Sequence, residues 1–152
     1  MAEFVPFKAY RPVIGSGDSI GNLVSPPIDC IPDDMLAQLK ENPRNVVNLT
    51  LVHDADGHYK GASERLRAMI ADGSLRQDVP SFYIYEQEFG FGDKRLRRRA
   101  VVGLLRIEEY SSGVVLPHES VYQKLWKDRQ ANIADTGADL ESILGVYEGD
   151  DI

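Results

Sequence analysis

At 152 residues, with 43% hydrophobic and 27% charged side chains, the chain is long enough for one hydrophobic core and too ordinary for a disordered or collagenous protein. Seventeen basic against 24 acidic residues give a net charge of −7, which opposes long-range attraction to nucleic acid and to anionic lipid. No apolar run approaches the roughly 20 residues of a membrane helix, Met1 to Arg11 show no secretory pattern, and Cys30 is the only cysteine, so a cytoplasmic protein without membrane contact is expected.

In chain order, Glu3 to Arg11 reads as a first strand, with Phe4, Val5, Phe7 and Tyr10 supplying β-favouring bulk. Gly15, Gly17 and Gly21 mark a loop, and Pro26 and Pro27 make Val24 to Ile31 extended but unsuited to a central strand. Pro32, Asp33 and Asp34 open a helix that Met35, Leu36 and Leu39 continue and Pro43 stops. Asn45 to Val52 alternates towards a strand. Gly61 to Asp72 carries Leu66, Met69 and Ile70 at helical spacing and is stopped by Gly73.

Ser81 to Phe89 and Ala100 to Tyr110 predict two strands joined by a hairpin through Gly90, Gly92 and Asp93, whose tip carries Lys94, Arg95, Arg97, Arg98 and Arg99. Val114 to Leu116 adds a short extended piece. A helix is expected from about Ser120 to Asn132, with Val121, Leu125 and Trp126 on one face; Leu140 to Val146 follows as helix and then strand. The order predicts an α+β fold in one domain, residues 1–152: a mixed, mainly antiparallel sheet with a central hairpin and flanking helices.

Several polar groupings have ordinary explanations. The glycines from Gly15 to Gly21 are spaced one residue too widely for a dinucleotide loop, and no helix follows to hold a pyrophosphate. His53, Asp54, Asp56 and His58 resemble a metal loop, but Arg65 occupies the twelfth position where calcium requires a bidentate Glu, so a solvated turn is the better reading. Cys30 has no neighbouring cation in sequence to activate it. The Lys94 to Arg99 run is not interleaved with aromatics as a single-strand binder requires, and it suits an exposed hairpin.

The stretch from Gly113 to Arg129 is the candidate chemical focus. A strand expected to end at Leu116 delivers His118, Glu119 and Ser120 to the mouth of a helix, where free amides hold anions. His118 is suited to proton transfer and Glu119 to base or metal-ligand work, while Lys127 and Arg129 add cations and Asp128 an acid. Helix capping accounts for the same residues, with Ser120 as N-cap and Glu119 favouring the dipole.

Pro26-Pro27-Ile28-Asp29-Cys30-Ile31, Asn42-Pro43-Arg44-Asn45, Ser81 to Gln87, Gly113 to Ser120 and Lys127-Asp128-Arg129 occur in the order of an uncharacterised bacterial and archaeal family, domain of unknown function 1015, which the chain resembles from about Phe4 to Tyr147. The family tends to have Tyr at the place of Ile28, and Thr at the place of Val121 in a His-Glu-x-Thr motif. Its members look longer, so the chain resembles an N-terminal portion or a compact relative. More loosely, the strand, polar turn and Arg-bearing helix are similar to the nucleotide-phosphate corner of ParB-type partition proteins, sulfiredoxins and free-serine kinases, a fold-level analogy.

That analogy implies a nucleotide- or phosphate-dependent small-molecule enzyme, a phosphotransferase by preference. His118 and Glu119 would act as catalytic groups, Ser120, Lys127 and Arg129 as phosphate contacts, and Asp29 and Asp128 as further polar candidates. A nucleotide and Mg²⁺ are the cofactors this admits; the sequence fixes neither a metal nor an oligomeric state. The alternative is a non-catalytic ligand-binding or assembly module.

Overall fold

Strands and helices separate along the chain. The computed structural model describes residues 2–15, 19–118 and 120–148, with Lys124 described by its backbone alone. Two units emerge: Met1–Val13 with Leu75–Ser120, and Ile14–Ser74 with Val121–Ile152. Among the described residues every strand lies in the first unit and every α-helix in the second, so the fold is α+β with antiparallel pairing throughout.

In the first unit the N-terminal segment runs extended past three successive partners. β1 (Phe4–Val5) pairs with β6 (Leu104–Leu105), Phe7 bridges Ser81, and β2 (Tyr10–Pro12) pairs with β3 (Leu75–Gln77). The strand expected from Glu3 to Arg11 is therefore present in two pieces. Arg11 Nη2 donates to Asp78 Oδ1 (3.0 Å) and Tyr83 donates its hydroxyl to Asp78 Oδ2 (2.9 Å), which ties β2 to the strand that follows.

Phe4 and Phe82 stack with centroids 5.5 Å apart, and Gly103 leaves room for them: a Cβ there would lie 2.7 Å from Phe4 Cζ and 3.0 Å from Phe82 Cδ1. Gly103→Ala is expected to open this stack at a cost of about 1 kcal/mol. Faster amide exchange at Phe4 and Val5 is the readout, and unchanged exchange would show that the rings simply step aside.

The expected hairpin is present as β4 (Tyr83–Phe91) and β5 (Lys94–Val102), turning at Gly92 with φ +57°. Its second strand starts six residues before the predicted Ala100, at Lys94, so the basic run forms the strand itself. The reason is cross-strand chemistry that a tip cannot offer. Register places Arg97 opposite Glu88 and Arg99 opposite Glu86, and both pairs close, at 2.8 and 2.7 Å. Arg98 donates to the neutral Gln87 at 2.6 Å. The alternation gives one face with Tyr83, Tyr85, Phe89, Leu96 and Phe91, interrupted by the Gln87–Arg98 pair and Lys94, and another with the Glu–Arg ladder.

The first unit has no buried residue among those described, and Phe91 is 72% exposed. A two-stranded hairpin gains little stability alone, because it has no second layer to bury its apolar face.

The second unit contains α1 (Asp33–Glu41), α2 (Val47–Thr50), α3 (Lys60–Ala71) and α4 (Gln123–Thr136). α1 and α3 match expectation, with Asp33 and Asp34 in the first turn of α1, and Gly73 just beyond α3 at φ +79°. Ile28–Cys30 forms a 3-10 turn, not an extended run, and Ile20–Asn22 forms another, opened by Ser19 Oγ accepting from Gly21 N. Of the Gly15 to Gly21 loop, Ser16, Gly17 and Asp18 lie outside the described residues.

The strand predicted for Asn45 to Val52 is a helical turn. Val47, Asn48, Leu49 and Thr50 are all buried, so the alternation read from the sequence does not correspond to an inner and an outer face. Asn45 sets the turn: its Oδ1 accepts from Val47 N at 3.1 Å, and its Nδ2 donates to the carbonyls of Asn22 and Val24, both at 3.0 Å. Asn42 also reaches Asn22 O (2.9 Å), Asn48 reaches Asn42 O (2.9 Å), and Asn132 on α4 reaches Leu49 O (2.8 Å). Side-chain amides thus supply the partners that irregular buried backbone requires. Leu23, Val47, Leu49, Tyr59, Ala62, Leu66 and Met69 form the apolar part of this core.

Candidate functional site

His118 and Ser120 belong to the first unit and are exposed, while Glu119 lies outside the described residues. The approach to them differs from expectation. No strand forms over Val114 to Leu116; a 3-10 turn, Tyr110–Ser112, ends at Gly113 in the left-handed region (φ 67°), and the chain then runs irregularly. α4 begins at Gln123 with Tyr122 as N-cap, and no side chain caps it. Ser120 is therefore not the cap, and His118 and Ser120 precede the helix without belonging to its first turn. Leu125 N and Trp126 N both turn back to Tyr122 O, which leaves the earliest amides of α4, not the His118 segment, at the helix mouth.

Asp29, Lys127, Asp128 and Arg129 belong to the second unit. Asp29 is exposed on the Ile28–Cys30 turn, where its negative charge pushes the neighbouring Cys30 thiol up, away from the thiolate a nucleophile needs. Lys127 is exposed on α4. Asp128 and Arg129 form, with the buried Tyr59, a network the sequence reading did not anticipate. Arg129 Nη2 donates to Thr50 O (3.0 Å) and Tyr59 Oη (3.1 Å), Nη1 donates to Glu141 Oε1 (2.8 Å), and Nε and Nη2 both donate to Asp128 Oδ2. Tyr59 donates its own hydroxyl to Asp128 Oδ1 at 2.9 Å.

Helical spacing explains the arrangement. Asp128, Asn132 and Asp135 fall at i, i+4 and i+7 on one face of α4. Asn132 takes Leu49 O, and Asp135 Oδ2 accepts from Tyr59 N (2.7 Å) and lies 3.2 Å from His58 Nδ1. The signal was present as a polar stripe, but a polar stripe ordinarily marks the solvent side of a helix. The apolar stripe instead borders an open groove of about 520 Å³ lined by Val121, Leu125, Trp126, Ile133 and neighbours, with Leu125 and Trp126 exposed.

The electrostatics follow from these contacts. Burial pushes Asp128 up, but hydrogen bonds from Arg129 and Tyr59 and the guanidinium charge outweigh it and hold the carboxylate below its ordinary value. Burial, and then the bond to Asp128, push the Tyr59 phenol up to about 12. One cation faces two carboxylates here, so a phosphate reaching Arg129 would have to displace Glu141 or Asp128 from it.

The signs set a stability profile. Asp128 contributes stability above its unfolded value of about 4, which is lost as pH falls through the lower folded value. Tyr59 contributes stability that is complete below pH about 10 and lost as pH rises towards about 12. Chemical denaturation across pH should show both slopes, and Tyr59→Phe should remove the alkaline one. An alkaline slope that survives in that variant would assign it elsewhere.

The polar loop before Tyr59 is shaped by its own backbone contacts. Asp54 Oδ1 accepts from Asp56 N (3.1 Å) and His58 N (2.8 Å), with Gly57 at φ 77° completing the turn. Among the described residues no three His, Cys, Asp or Glu side chains group as a metal site, and no helix is long and apolar enough to cross a membrane.

The family described as protein of unknown function (DUF1015) matches residues 4–152. The chain belongs to that family. No curated protein and no solved structure matches it. In this DUF1015 chain, the Asn42-Pro43-Arg44-Asn45 motif supplies the amides that order α2, and Asp128-Arg129 bind α4 to Tyr59 and to the Thr50 carbonyl.

Proposed function

We propose that this DUF1015 chain is an assembly module, whose hairpin face is completed by a partner surface. The observation that carries the reading is the first unit's apolar face: Tyr85, Phe89, Phe91 and Leu96 are exposed on a hairpin with no buried residue around it. Aromatic surface of that kind marks an interaction site. Amide hydrogen exchange of β4 and β5 across a dilution series, together with sizing, tests it. Protection that grows with concentration is expected; a chain that stays monomeric, with the hairpin amides exchanging freely throughout, would remove the reading.

A second reading keeps the phosphate-dependent small-molecule enzyme, with a nucleotide and Mg²⁺ as cofactors in a cytoplasmic setting. The exposure of His118 and Ser120 favours it, since both polar groups are accessible to a ligand. In this reading His118 and Glu119 exchange protons with the substrate. A thermal-shift screen with nucleotides, Mg²⁺ and phosphorylated metabolites would identify a ligand. Glu119→Gln should then keep fold and binding and abolish turnover, and full turnover in that variant would reject the catalytic assignment.

A further inference from the structure

Past Gly137, which stops α4 in the left-handed region (φ 67°), the chain carries a second exposed apolar run. Residues 140–148 form no helix or strand, and Ile143 is 88% exposed and Val146 95%. Leu144 and Tyr147 are exposed as well. Ile, Val and Tyr favour extended backbone, and this run leaves its own peptide groups without a ladder. The segment is also acidic: no Lys or Arg follows Arg129, and Glu148, Asp150 and Asp151 close the sequence.

The matching deficit lies on β5. Among the described residues this nine-residue strand pairs with β4 alone, so its outer edge offers a row of free backbone donors and acceptors. Two of its arginines are neutralised across the hairpin, by Glu86 and Glu88. Lys94, Arg95 and Arg98 face no carboxylate among the described residues. The imbalance extends to whole units: the first has nine basic and eight acidic residues, the second eight basic and sixteen acidic.

Resting on the assembly reading and naming its partner, we propose that two copies of the chain exchange strands, residues 143–148 of each copy adding to the free edge of the other copy's β5. Charge selects the direction. With Glu148 beside Lys94 and Arg95, where β5 begins, the added strand runs antiparallel to β5. Main-chain hydrogen bonds supply attraction, and the side chains of Ile143 and Tyr147, which fall on the same face of the added strand, extend the apolar cover of the hairpin. Because each copy holds one donor segment and one acceptor edge, reciprocal exchange satisfies both at once and closes as a two-fold dimer.

Sedimentation equilibrium of the full chain tests this. The wild type is expected to dimerise, more weakly as salt rises. Val146→Pro, which removes a ladder donor, and Ile143→Asp should each weaken dimerisation at least about tenfold with the far-ultraviolet helix signal unchanged. Arg95→Glu should also weaken it, and adding Glu148→Lys should restore part of the loss. Both 143 and 146 are exposed and outside regular structure, so these substitutions leave the helices intact. A wild-type dimer that persists in both Val146→Pro and Ile143→Asp would overturn the strand exchange and leave the assembly reading standing. A wild type that is monomeric throughout, with its hairpin unprotected, would overturn both.

Discussion

Arg129→Met is expected to lower the stability of the second unit by about 2–3 kcal/mol, without changing the helical content of the folded state. The guanidinium joins four groups from four places in the sequence: the Thr50 carbonyl, the Tyr59 hydroxyl, the adjacent Asp128 and Glu141. A methionine fills most of the same space and removes all of these donors. Asp128 keeps the Tyr59 hydroxyl, but Glu141 and the Thr50 carbonyl lose their bonds from Arg129. Both carboxylate side chains remain over one-third exposed, at 37% and 36%, so water softens the loss and the effect stays below that of a fully buried pair. Lys127→Met, on the exposed side of the same helix, should stay within about 0.5 kcal/mol. Urea denaturation of the pair of variants gives the answer directly. If Arg129→Met were as stable as the wild type, the guanidinium would not be structural, and the phosphate assignment made from the sequence would regain its strongest cation.

Asn45→Ala should cost about 2–4 kcal/mol, because three hydrogen bonds disappear inside a site where the residue is only 1% exposed. The Val47 amide and the Val24 carbonyl would be left without their side-chain partner, and the Asn22 carbonyl would keep only its bond from Asn42. Asn45→Asp sharpens the test. Its carboxylate still accepts from Val47 N, yet it directs lone pairs at two carbonyls, so it should be no more stable than the alanine variant. An aspartate variant close to wild type would mean that the donors towards Asn22 and Val24 contribute little, and that the turn depends on its cap alone.

These two sites show where the sequence was legible. α1, α3 and the hairpin were readable because their signals are local: Asp33 and Asp34 after Pro32, Gly73 after an apolar stripe, and glycines between two β-rich runs. α2 was not, since a short apolar run buried on all sides carries no period to separate strand from helix, and its asparagines looked like turn residues when they are interior ligands for backbone. The Lys127-Asp128-Arg129 motif was visible as chemistry, but its direction was not. Tyr59 lies roughly seventy residues earlier in the chain, and nothing in the spacing announced that it would claim both charges. The placement of Ser120 failed for a smaller reason, since a Ser-initiated cap was available and the helix instead began at Gln123 without a side-chain cap.

The pairing of β2 with β3 has a kinetic consequence. Pro12 sits opposite Leu75, so the ladder forms only after a loop of about sixty residues has been drawn shut. The contacts among α1, α2 and α3 lie within that loop and span much shorter separations, so they can form before the loop closes. Refolding should therefore be sequential, with far-ultraviolet ellipticity recovering ahead of any probe placed on Tyr10 or Arg76. On a ribosome the same order would let the helices form while the strands of residues 83–102 are still being synthesised.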